Sequence, residues 1–212
     1  PHNGHILAMA TNSSYDQTNF DYATQARRQT GSAFKVFSLL TLIHDFHGDP
    51  NQTYYTSKEL FPGWLPGYPS YHVQTSEKSY QGSISVAKAT TISDNTVFAQ
   101  LAQDLTMDKV SATAHAMGIT SKLTGFPSEA LGAVAVSPLE MADAYATLAS
   151  GGIHHDATAI SKVVPANGYW VMCQARRKSE GNSAMKARNR EPGNVMRLRT
   201  LVRYRSVGAP GR

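Results

Sequence analysis

The chain has 212 residues, 41% of them hydrophobic, enough for one domain of ordinary size with a core, and no run of about 18 apolar residues that would span a membrane. Its single cysteine, Cys173, excludes an internal disulfide framework and a cysteine-built metal site. The net charge of +5 is uneven: residues 1–164 hold nine Lys and Arg against thirteen Asp and Glu (net −4), and residues 165–212 hold eleven against two (net +9).

The chain opens on Pro1-His2-Asn3-Gly4, without an initiator methionine or the basic start and apolar stretch of a signal peptide, so a piece of a longer chain is expected. Residues 5–10 form a short apolar run after Gly4 and read as a buried strand. Residues 11–30 are polar and read as loop. Over residues 32–47, Phe34, Val36, Phe37, Leu39, Leu40, Leu42, Ile43 and Phe46 recur on most faces, which predicts a helix buried nearly all round. Gly48-Asp49-Pro50 stops it. Residues 50–82 are rich in Pro, Gly, Tyr and Ser and read as a long irregular connection, with Trp64, Tyr68 and Tyr71 either lining a cleft or packing the loop.

Residues 83–92 and 96–105 read as helices separated by Ser93-Asp94-Asn95. A further helix is expected over 107–117, with Gly118 as its stop. Ser137-Pro138-Leu139-Glu140 reads as a capping box with proline at the first helical position, and the helix it starts runs to Ala149 before Gly151-Gly152. Residues 159–164 resemble a strand. His154-His155 reads as a loop pair, and neither a metal site nor a cofactor is expected. Beyond Pro165 no helical or strand period is sustained, so residues 165–212 are expected to be a basic tail, disordered or outside the native fold. The tail carries no recognisable nucleic-acid module, and no nucleic-acid partner is expected. The order of elements predicts an α+β fold: a helical cluster packed on an antiparallel sheet whose strands come from distant parts of the chain.

Two short stretches carry chemistry. In QTGSAFKVF, residues 29–37, Ser32 and Lys35 lie three apart where the first helix begins. Residues i and i+3 share a helix face, and the free N–H groups and macrodipole of a first turn favour negative charge on Ser32. Lysine is a poor base at its reference pKa of about 10.4, and burial lowers that value. Taken alone, the pair reads as an N-cap serine with a lysine one turn on. Ser93-Asp94-Asn95 adds a second hydroxyl able to relay a proton and an amide able to bind a substrate carbonyl and hold the lysine. By itself it too reads as a loop with a helix cap.

Both motifs together resemble the transpeptidase domain of penicillin-binding proteins, particularly the bifunctional class A type. The likeness extends to Gly4-His5-Ile6-Leu7-Ala8-Met9, Ala23-Thr24, Arg28-Gln29-Thr30-Gly31, Gly82 to Ala89, Leu131-Gly132, Ser137 to Ala142 and Ala144-Tyr145. It covers residues 3–164, and residues 1–164 are expected to form a partial transpeptidase domain. The resemblance implies that Ser32 is the nucleophile, Lys35 its base, Ser93 the proton relay and Asn95 a substrate-binding residue. It implies peptidoglycan stem peptides as substrates, cross-linked through an acyl-serine, and β-lactam antibiotics as acylating mimics. It also implies work on the outer face of the cytoplasmic membrane, with the anchor on upstream segments.

One departure stands out. The family's third motif, Lys-Thr-Gly or a close variant, does not occur in the sequence. The sheet is therefore expected to be incomplete and the activity weak or absent, and residues 165–212 are expected to be out-of-frame sequence, an authentic divergent end and a site completed by a partner chain being the other two explanations. The alternatives are a DD-carboxypeptidase or β-lactamase type of hydrolase and a non-catalytic penicillin-binding remnant.

Overall fold

Three helices place their apolar residues one turn apart and meet on those faces. In the computed structural model, which describes residues 3–10, 14 and 16–160, α1 (Lys35–Asp45), α3 (Asn95–Leu105) and α4 (Met107–Ala116) surround the core. Phe34 just before the first, Phe37 and Leu42 from it, Val97, Phe98, Leu101 and Leu105 from the second, and Val110 and Ala114 from the third form one buried cluster. A hydrogen bond between Thr41 Oγ1 and Thr113 Oγ1 (2.8 Å) ties α1 to α4 inside it. The remaining helices are α2 (Val86–Thr91) and α5 (Pro138–Ala149), with 3₁₀ turns at Gly31–Phe34 and Pro127–Leu131.

Local chemistry sets the helix starts. Asp94 caps α3 by accepting from the amides of Thr96 (2.8 Å) and Val97 (3.0 Å). The expected capping box at α5 forms: Ser137 Oγ accepts from the Glu140 amide, and Glu140 Oε2 accepts from the Ser137 amide. The helices expected at 96–105, 107–117 and from Ser137 are present, and Gly118 takes a positive φ after α4.

Other elements differ from expectation. Ser32 sits in the 3₁₀ turn, and α1 proper starts at Lys35. The helix is buried on one face rather than all round, with Ile43 and Phe46 exposed. The long connection at 50–82 contains β2 (Tyr54–Ser57), and the stretch expected to be helical from 83 opens with β3 (Gly82–Ser85) before α2. These strands pair antiparallel, Tyr54 opposite Ser85 and Ser57 opposite Gly82. Tyr54-Tyr55-Thr56 and Ile84 suit a pleated surface, but four residues among Pro, Gly and Ser leave little period to read.

β1 (Arg28–Gln29) and β4 (Ala135–Val136) make a second antiparallel pair. The run at 5–10, expected to be buried, is mostly exposed, with Leu7 at 88%. It makes one parallel bridge, His5 to Thr158, in which the Ile6 amide donates to Thr158 O and the Thr158 amide to Gly4 O (both 2.8 Å). The first and last of the described segments therefore meet. The rest of the strand expected at 159–164 and the tail expected at 165–212 lie outside the described residues beyond Ile160. No helix among the described residues is long and apolar enough to cross a membrane.

Candidate active site

The turn that carries Ser32 is gripped by segments distant in sequence. The Gly31 amide donates to Gly132 O (3.2 Å), and the Tyr145 hydroxyl donates to Ala33 O (3.0 Å). Gly132 has φ +83, and a Cβ there would lie 1.9 Å from Gly31 O and 2.4 Å from Gly31 N. The close approach of the two backbones thus requires glycine at position 132. Phe34, fully buried, anchors the turn from below and leaves Ser32 exposed.

Lys35 is buried with all three donor directions engaged. Its Nζ donates to Ser93 O (2.7 Å), Asn95 Oδ1 (2.8 Å) and Ser93 Oγ (3.1 Å), and lies 5.4 Å from the centre of the Phe98 ring. Burial lowers the pKa of the amine to about 8, against the pull of the nearby Asp94 carboxylate, which raises it. Asn95 is itself oriented: its Nδ2 donates to Gln74 O (2.9 Å), which turns Oδ1 toward the lysine.

Ser93 occupies the bend between α2 and α3 with φ +56, a left-handed conformation uncommon for a residue with a Cβ. Its neighbour Asp94 is buried, caps α3, and accepts from Ser57 Oγ (2.5 Å) on β2. The carboxylate fixes the bend to two elements at once, so the Ser93 hydroxyl is held in place from both sides.

Ser32, Lys35 and Ser93 line one cleft of about 190 Å³, together with Thr90, Phe98 and Tyr145. Asn95 reaches it through Lys35 and is not on its wall. Among the described residues the Ser32 hydroxyl makes no hydrogen bond, which leaves it free for a substrate-induced approach to Nζ. Asp94, Gln74, Gly132 and Tyr145 carried no role in the sequence reading. The Ala144-Tyr145 pair was visible there, whereas Gln74 acts through its backbone carbonyl and leaves no side-chain signal. His154 of the loop pair is held by Asp143, Nε2 to Oδ2 at 2.8 Å.

A second buried carboxylate braces this region. Glu140 accepts from the amides of Thr120 (2.9 Å), Ser121 (2.6 Å) and Ser137 (2.8 Å) and from the Thr120 hydroxyl (2.7 Å), and it pairs with Arg27. Arg27 precedes β1, so one side chain ties α5 and the loop after α4 to the strand that leads into Ser32.

The family model described as the penicillin binding protein transpeptidase domain matches residues 1–192. The chain belongs to this family. Penicillin-binding protein 2D of Bacillus subtilis is 31% identical to this transpeptidase domain over 179 residues, which are 80% of the chain and 24% of that protein. Penicillin-binding protein 1A of Mycobacterium tuberculosis is 34% identical over 185 residues, 79% of the chain and 21% of that protein. The chain therefore spans about a quarter of the length of these relatives. The solved structure of PonA1 from Mycobacterium tuberculosis in complex with penicillin V superposes with a TM-score of 0.61 at 30% identity, covering 73% of this chain and 43% of that one. The α+β fold of the penicillin-binding transpeptidases is thus the fold of this chain.

Proposed function

We propose that Ser32 is the nucleophile of a DD-transpeptidase that cross-links peptidoglycan stem peptides through an acyl-serine, and that β-lactams acylate the same hydroxyl. Ser32 Oγ attacks the carbonyl of a D-Ala-D-Ala bond, and Lys35 takes its proton. The C–N bond breaks, and the proton passes through Ser93 Oγ to the departing D-alanine amine. The amine of a second stem peptide then takes the acyl group and restores Ser32. Asn95 holds Lys35 and offers its remaining amide hydrogen to substrate. The whole protein would act at the outer face of the cytoplasmic membrane.

The observation that carries this reading is the buried Lys35, pinned by Ser93 and Asn95 with a pKa near 8, one turn from an exposed serine. No carboxylate lines the cleft among the described residues, so Lys35 has no second base beside it to activate water against an acyl-serine. That favours transfer over the hydrolase reading. The Ser32 amide is one oxyanion donor. The second would come from a Lys-Thr-Gly strand, and without that motif the chain is expected to acylate about 10²–10³-fold more slowly.

Incubation with a fluorescent penicillin tests the assignment. Stable label is expected on the wild-type chain and none on Ser32→Ala. Equal labelling of both would remove Ser32 from the role, a folded wild type without label would leave a non-catalytic remnant, and rapid loss of label would restore the hydrolase. Gly132→Ala is expected to push the Gly31 backbone away and slow labelling by about 10²-fold, the cost of a misplacement near 1 Å. A labelling rate within twofold of wild type would show that the Gly31–Gly132 contact does not position Ser32.

A further inference from the structure

The described residues hold a roomier cleft than the one beside Ser32. It has a volume of about 890 Å³ and lies between β2, α3 and the segment 58–64. That is near the upper end of the range for ligand clefts, about 300–1,000 Å³.

Its walls are set. Leu60 and Val73 pair across a bridge with reciprocal backbone hydrogen bonds of 3.0 Å, and Trp64 packs on Tyr71 at 5.7 Å between ring centres. Phe61 is 63% exposed, yet one face of its ring is stacked on His72 at 5.9 Å and 13°. The ring is thereby held with an apolar face available.

The polar lining offers acceptors. Asp104 uses Oδ2 to accept from the Tyr55 hydroxyl (2.7 Å), and Glu59 uses Oε1 to accept from Gln74 (2.5 Å), with His72 at 2.8 Å from the same oxygen. Each carboxylate keeps its other oxygen. Gln103 makes no side-chain hydrogen bond among the described residues. Two carboxylates against Lys58 disfavour phosphate or nucleic acid. The Thr56 carbonyl of β2 accepts from Gln100 Nε2 (3.0 Å), so this side of the strand is covered against an added peptide strand. Aromatic faces beside planar acceptors suit an uncharged ligand rich in hydroxyls, whose C–H faces stack and whose O–H groups donate.

We propose that this cleft binds an oligosaccharide, the glycan of the strand whose stem peptide Ser32 attacks; the choice of glycan rests on the acyl-transfer reading. Gln74 joins the two places. Its side chain donates to Glu59 at the cleft, and its carbonyl holds the Asn95 amide that clamps Lys35.

The test uses the 212-residue chain, with an N-acetylglucosamine dimer and tetramer as uncharged probes, read by saturation-transfer NMR and calorimetry. Saturable binding with a Kd of about 1 mM is expected. Binding should persist in Ser32→Ala and weaken at least about tenfold in Phe61→Ala/Gln103→Ala, with melting and penicillin labelling unchanged. Absence of saturable binding to either probe overturns the proposal, as does equal binding by the double variant or displacement of the glycan by a stem pentapeptide alone. Glycan binding without penicillin labelling supports the cleft and overturns the acyl-transfer reading instead.

Discussion

Lys35→Ala is expected to slow acylation by a fluorescent penicillin by about 10²–10⁴-fold, the usual range for a lost general base. Lys35→Arg should not restore it, because a guanidinium stays protonated. The argument is electrostatic. Nζ is desolvated over the Phe98 ring, and its pKa falls to about 8, with Asp94 limiting the fall. The neutral fraction therefore grows with pH, and the acylation rate should rise about tenfold per unit below pH 8 and level off above it. A flat profile between about pH 6 and 9 would rule out Lys35 as the base. The same shift has a stability sign. The folded pKa lies below the unfolded value of 10.5, so the unfolded chain binds the proton more tightly. This group's contribution to stability accordingly improves as pH climbs from about 8 to 10.5.

Glu140→Ala should be the most costly of the single changes for folding, about 3–5 kcal/mol by urea unfolding, since it leaves the amides of Thr120, Ser121 and Ser137 without their acceptor, while the half-exposed Arg27 returns to water. A loss below about 1 kcal/mol would mean that water replaces these bonds freely. Burial alone would raise the pKa of this carboxyl. The hydrogen bonds from Ser137, Thr120 and Ser121 outweigh that and hold it at about 2, below the ordinary 4.5. Its stabilisation is thus complete above pH 4.5 and drains away as pH falls toward 2. Glu140→Gln should flatten the stability profile in that window.

Much of this was legible in the sequence, for definite reasons. α3, α4 and α5 carry periodic apolar residues and stop or start signals such as Asp94, Gly118 and the Ser137–Glu140 box, and local rules suffice for them. β2 and β3 were not legible, because a four-residue strand is defined by its partner more than by its own letters. The run at 5–10 looked buried because apolar runs usually are, but a strand is buried only where both faces are covered. In the site, Ser32, Lys35 and Ser93 could be read because each brings a polar side chain to one cleft. Gln74 and Ala33 contribute carbonyl oxygens, which every residue has, and Gly132 contributes the lack of a side chain. Such contacts are invisible until the chain is folded.

The left-handed bend at Ser93 limits what evolution can try there. β-branched residues such as threonine or valine resist that backbone conformation, so the nearest hydroxyl replacement is closed by sterics rather than by chemistry. Glycine would fit with ease and delete the hydroxyl. The viable mutational neighbourhood of position 93 therefore holds glycine, which keeps the bend while removing the hydroxyl proposed as the relay.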